Sequence, residues 1–356
     1  MGLERARVKG VALLGTALAL LWGCEYQSGR QAQSPQQPPP GYYPGPPQGY
    51  GPQPYPQQPY PQQPPPGAPP QPQQPQPQQP PSVALPPVAF DPINDINIPF
   101  LRTRAQLVIR DLTAALAGNQ QQRVQAVPLV VDDEVGEVNA FAACTRDGKA
   151  LMAISDGLLE IQANLAQSRA NDEVFGTRKL DEYIDFIARH QRPKQPIAKP
   201  PANFYDPAQR ADGRKVQRQH QLLDEQIAFV LGHELAHHYL GHLPCTGSGA
   251  VAGAEIGRVL SSAVPIFNQP NELAADVAGT NNVLSAGAKR QDYRWNEGGA
   301  LLTMQFFSGM DRLTPTDIVF GFERTHPPPI IRTPVIQQSA ATWRATGGRG
   351  LPILGF

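Results

Sequence analysis

The chain is 356 residues long, with 30 Lys and Arg balanced by 30 Asp and Glu, 41 Pro and 3 Cys. A chain without net charge lacks the surplus of Lys and Arg that phosphate recognition needs, which argues against nucleic-acid binding. Three cysteines exclude both a disulfide scaffold and a multi-cysteine zinc finger.

The first nine residues, Met1 to Lys9, are mostly basic, and the apolar run Val11–Trp22 follows. Twelve residues cannot cross a hydrocarbon core that needs ~20 in a helix, so this is the pattern of a secretory signal. The run ends Leu21-Trp22-Gly23-Cys24, which resembles the lipobox of bacterial lipoproteins. That resemblance implies cleavage before Cys24 and a lipid on it. The other reading is an ordinary signal peptide cut elsewhere. Residues 31–81 then hold 22 Pro and 16 Gln, without a charge from Gln31 to Phe90. Such a segment cannot bury enough apolar surface to offset its chain entropy and is expected to be a disordered, polyproline-rich spacer. The expected organisation is a signal peptide over 1–23, a linker over 24–87 and one domain over 88–356.

Within the domain, apolar residues at Leu101, Leu107, Val108, Leu112 and Ala115 predict a helix over Phe100 to Leu116, stopped by Gly118. Val127 to Val131 and Val138 to Cys144 read as strands. Arg146-Asp147-Gly148-Lys149 supplies a hairpin turn to a partner strand, Ala150 to Ile154. Ser155 caps the next helix. Asp181 to Arg189 looks helical, and Arg192 to Arg214, with five prolines, reads as a surface loop. A long helix from Lys215 to Leu240 precedes helices near Ala250–Ser262, Asn271–Leu284 and Asn296–Phe307. The fold class is α+β, mainly helical with one small antiparallel sheet.

The long helix carries His233-Glu234-x-x-His237. Two His four apart stand one above the other on a helix face, so both imidazoles reach one ion, while Glu234 stands beside it to take a proton from bound water. A hydrolytic zinc needs a third protein ligand and an open position. Glu272 and Asp276, again four apart at a helix start, supply the ligand and an acceptor for the outer nitrogen of a ligand His. The plainer reading of that pair is two solvated acids at a helix N-terminus.

Four segments together resemble the HtpX-type and CAAX-prenyl-protease-like zinc metallopeptidases of the gluzincin group. They are Asn139-Ala140-Phe141 with its hairpin, His233 to His242, Asn271 to Asp276, and Thr325-His326-Pro327 with Arg332. The resemblance implies a zincin-type fold and one Zn²⁺ per chain on His233, His237 and Glu272. It makes Glu234 the general base and acid and puts Asp276 behind the ligands. It also implies a substrate-facing role for His326, supported by Arg332, and an extended substrate added to the edge strand at Asn139, Ala140 and Phe141. His190, His220, His238 and His242 read as structural or solvated, His242 because it lies five residues past His237.

The expected function is a zinc endopeptidase of the bacterial cell envelope. It would be lipid-anchored at the periplasmic face, with the outer membrane favoured, and would act on unfolded or misassembled proteins. The alternative is a catalytically silent relative that binds client proteins or wall polymer. With Cys24 lipidated, Cys144 and Cys245 remain as an even pair in an oxidising compartment and are expected to form a disulfide, the alternative being two buried thiols.

Overall fold

The computed structural model describes residues 86–260, 269–313 and 320–351. The signal peptide, Cys24 and the Pro/Gln tract fall outside the described residues. Chain order begins with α1 (Ile98–Ala115), α2 (Gly118–Val124), β1 (Leu129–Asp132), β2 (Ala140–Cys144) and β3 (Ala150–Ser155). Then follow α3 (Asp156–Phe175), α4 (Lys179–His190), α5 (Pro207–Ala211) and α6 (Gly213–Leu240). The order closes with α7 (Gly253–Leu260), α8 (Gln269–Lys289), α9 (Gly298–Leu313), α10 (Gly321–Thr325) and α11 (Pro329–Ala345).

α6 is the axis of the domain. Asp212 caps its start by accepting from the Arg214 and Lys215 amides, and Gly241, at φ 79°, ends it in the left-handed region that glycine adopts without steric cost. From Leu222 to Ala236 every α6 side chain is buried, because α1, α3, α8 and α9 surround the helix. A helix buried on all sides needs no amphipathic stripe. Where α8 crosses it, Gly279 lies against the backbone of Gly232 and His233, which brings the two helices together beside the future site.

The three strands form one sheet in the order β1-β3-β2. The predicted hairpin is present, β2 pairing antiparallel to β3 with Phe141 opposite Ala153. β1 instead pairs parallel to β3, Leu129 opposite Met152, so the sheet is mixed rather than wholly antiparallel. The chain leaves β1, passes to the far edge for β2, and returns as β3 between them. Ser155 Oγ accepts from the Leu158 amide as the cap of α3 and from the Asn139 amide, tying the start of β2 to the start of that helix. At the other end of β2, Cys144 is disulfide-bonded to Cys245, just past α6, with Cα atoms 5.3 Å apart.

Several sequence expectations move. Gly118, expected as a stop, is the first residue of α2, and the proline-rich loop contains the single turn α5. α11 was not expected at all. Pro329 stands at its first position, where a missing N–H costs nothing, and Pro334 is accommodated inside. Among the described residues, no helix is long and apolar enough to cross a membrane.

Candidate metal centre

His233 and His237 lie one turn apart on α6, with their Nε2 atoms 3.1 Å from each other. The first turn of α8 delivers Glu272, whose Oε2 is 3.2 Å from His233 Nε2 and whose Oε1 is 3.4 Å from His237 Nε2. Two ligands at ~2.0–2.1 Å from a tetrahedral ion lie roughly 3.3 Å apart, so the three atoms already stand near the edges of such a tetrahedron. All three side chains are buried, and apart from the two imidazoles that face it Glu272 has no hydrogen-bond donor. A buried, ionised carboxylate so poorly supplied is costly unless a cation balances it. Two imidazoles and one carboxylate suit Zn²⁺, so the donor set fits that ion.

The supports behind these residues differ. His233 Nδ1 meets Asp276 Oδ1 at 2.9 Å. Asp276 in turn receives Arg332 of α11 through both oxygens, Nη2 at 2.7 Å and Nε at 2.9 Å. Burial works against the Asp276 charge, but Arg332 and then His233 outweigh it and hold the carboxyl well below the usual carboxylate range. Burial and the Arg332 charge also oppose a proton on His233, yet its hydrogen bonds to Asp276 and Glu272 prevail and raise it to about 9. His237 is pushed well below its ordinary value, first by burial and then by His233. Glu272 is held low despite burial, by His233, His326 and Arg332.

Glu234, beside His233, is fully buried, and His326 Nε2 lies 3.2 Å from its Oε1. The His326 ring is aimed by Nδ1 contacts to the Phe322 carbonyl at 3.0 Å and to Thr325 Oγ1 at 2.9 Å, and it stacks on Phe322 at 4.2 Å. Loop and α10 together thus bring His326 to the carboxylate that sequence spacing puts next to the ligands.

Two residues stand where the sequence reading did not put them. Arg332, read there as support for a substrate-facing His326, is 1 % exposed and lies behind His233, clamped on Asp276. His242, read as off the ligand face, has Nδ1 3.0 Å from His237 Nδ1. Counting helical positions fails there because α6 ends at Gly241, and the reversal folds His242 back, its amide bonding the His237 carbonyl at 3.0 Å. The signal for this was Gly241 itself, a C-terminal stop followed at once by a histidine. His238 instead bonds the Leu151 carbonyl of β3 at 2.9 Å, and His220 pairs with Asp91.

Asn139, Ala140 and Phe141 are buried as side chains, Phe141 packing with Leu151, Ala153 and Val259. What the outer strand offers is backbone. The Asn139 carbonyl points inward to Ser155, whereas the Val138 carbonyl points outward and accepts from the Phe322 amide at 3.2 Å. The same alternation turns the Ala140 and Ala142 backbone groups outward.

The family model described as Peptidase family M48 matches residues 103–339, a span that contains every side chain of the centre. No curated protein and no solved structure matches the chain.

Proposed function

We propose, since this chain belongs to peptidase family M48 and is a metalloendopeptidase, that His233, His237 and Glu272 hold one zinc ion per chain and that Glu234 is its general base and acid. The observation that carries this reading is the convergence of those three buried side chains on one point, with no donor to Glu272 besides the two imidazoles. Zinc held there would supply Lewis acidity toward the scissile carbonyl and would lower the pKa of bound water to ~7. Glu234 takes the water proton as the carbonyl is attacked and returns it to the leaving amine. His326, 3.2 Å from Glu234, faces the same space and stabilises charge on the carbonyl oxygen as it develops. Asp276 fixes the His233 tautomer, and Arg332 holds Asp276.

The substrates are proteins or peptides. An extended stretch of substrate pairs with the outward backbone of Ala140 and Ala142, a mode that reads little sequence and suits unfolded or misassembled chains. The Leu21-Trp22-Gly23-Cys24 run supports an N-terminal lipid on Cys24, with residues 24–87 holding the domain away from a bacterial envelope membrane, the outer one by preference. Mass spectrometry of the mature N-terminus tests that anchor, and an unmodified Cys24 rejects it.

The deciding experiment compares wild type with Glu234→Gln for zinc content and casein cleavage. The variant is expected to keep its zinc and fold and to lose turnover by several orders of magnitude, since the base acts only in the chemical step. Near-normal turnover in the variant rejects the assignment.

A further inference from the structure

Against the His326 ring lies a cavity of about 80 Å³. Its walls are Met304 and Phe307 of α9, Phe322 of α10 and the prolines that lead into α11. Arg332 also touches it, but that guanidinium is already bound through two nitrogens to Asp276. The cavity therefore presents a thioether, two phenyl rings, proline rings and the His326 imidazole, whose nitrogens are already engaged by Glu234, Phe322 and Thr325, with its one guanidinium neutralised. Nothing there compensates a buried carboxylate or ammonium, so a charged guest is disfavoured. Size narrows the guest further. An apolar cavity of about 150 Å³ holds a benzene, so about half that volume suits an aliphatic side chain and is too small for an aromatic ring. Ile330, next along the chain from the lining Pro329, is 80 % exposed, the most exposed of the three large apolar residues at the surface among those described.

Position matters as much as composition. His326 is a wall of the cavity and at the same time lies 3.2 Å from Glu234 Oε1 and 3.8 Å from Glu272 Oε2. A side chain seated in the cavity thus packs on the same imidazole that faces the reacting groups. We propose that this cavity is the specificity pocket of the enzyme and takes one aliphatic side chain, of leucine or methionine size, from a residue flanking the scissile bond. The proposal rests on the reading of Glu234 and its neighbours as the catalytic centre.

The test uses the full chain loaded with zinc and a series of quenched fluorogenic peptides. They differ at one position, scanned on both sides of the cleaved bond, with Leu, Met, Phe, Trp, Gly or Glu. At one flanking position, Leu and Met are expected to give kcat/KM at least about tenfold above Gly, Trp and Glu, the scale set by filling or overfilling an apolar pocket. Met304→Ala enlarges the cavity, and Phe peptides are expected to gain about tenfold relative to Leu peptides, a gain that mere loss of packing does not produce. Equal rates across the series, a preference for Glu, or a folded and zinc-loaded Met304→Ala that keeps the wild-type Leu-to-Phe ratio would each overturn the proposal. If that variant does not fold, the wild-type series decides alone. The catalytic reading fails separately: Glu234→Gln cleaving the Leu peptide at the wild-type rate removes it, whatever the order of preference.

Discussion

His242 Nδ1 stands 3.0 Å from His237 Nδ1, within hydrogen-bond reach once one of the two nitrogens carries a proton. With Nε2 of His237 on the ion, Nδ1 would keep the ring's proton and His242 Nδ1 would accept it. His233 has a carboxylate in the same place, Asp276. The two candidate ligands are thus oriented by unlike partners, one charged and one neutral.

Removing His242 is expected to loosen metal rather than fold. His242→Ala should weaken zinc binding by about 10–100-fold in chelator competition, the usual effect of losing an outer partner of a ligand histidine. His242→Asn, which restores an acceptor, should recover part of the loss. An unchanged affinity in the alanine variant would show that the contact orients nothing.

Metal uptake should release a proton. His233, held at about 9 in the metal-free protein, carries a proton at pH 7.5, and a ligand imidazole must give it up. Calorimetric titration of zinc into metal-free protein, in buffers of different ionisation enthalpy, should report about one proton per ion from His233 and a further fraction from zinc-bound water of pKa ~7. Apparent affinity should climb as pH rises toward 9 and level off above it, because competition for His233 ends there. Zinc uptake without proton release at pH 7.5 contradicts the assignment.

Two glycines at the α6–α8 crossing should respond differently to the same change. A Cβ on Gly279 would lie 2.9 Å from His233 N and 3.1 Å from the Gly232 carbonyl carbon, and neither backbone atom can yield alone. Gly279→Ala should cost about 1–3 kcal/mol by overpacking and lower zinc occupancy, since Glu272 and Asp276 ride on the displaced helix. A Cβ on Gly232 meets nothing nearer than 3.4 Å, so Gly232→Ala should be neutral or stabilising. Thermal melts and zinc content of the two variants check the contrast.

Glu225, two turns before His233, is a buried acid away from the metal centre. Its Oε1 accepts from the Asn296 amide and side chain, and its Oε2 has no donor. Burial raises it from the ordinary 4.5 to about 7, against the pull of Arg218. A raised acid binds its proton more tightly when folded, so this contribution to stability is complete below pH 4.5 and is lost as pH rises to about 7. Glu225→Gln keeps the acceptor and removes the ionisation. It should stabilise the protein at pH 8 by on the order of 1–3 kcal/mol and have little effect at pH 4.5. Denaturant melts at the two pH values check the sign.

The centre was legible because its chemistry is local. His233, Glu234 and His237 are fixed by helical spacing, and Glu272 with Asp276 repeats that spacing on a second helix. The β2–β3 hairpin was equally local, announced by Asp147-Gly148 and closed by the Ser155 cap. What the chain hid was set by contacts distant in sequence or by exceptions to a local rule. The parallel pairing of β1 depends on where the hairpin docks. α11 begins with Pro329 and contains Pro334, so a rule that treats proline as a breaker reads a helix as a loop. Arg332 lay inside that misread segment, and its aim at Asp276 was lost with it.

The outer strand is held at both ends. Near its start the Val138 carbonyl is taken by Phe322, and at its finish Cys144 is bonded to Cys245. Between these anchors run Ala140 to Ala143, about 13 Å of strand at ~3.4 Å per residue. A guest chain laid there has a rail of fixed gauge, about four residues long, and must bring a stretch of that length whose own amides and carbonyls are unspoken for. A helix or an intact sheet has none to offer, while a chain that has lost its local structure has many. On the proposed pairing, the strand would sort polypeptides by their folding state, by length of bare backbone before any side chain is consulted.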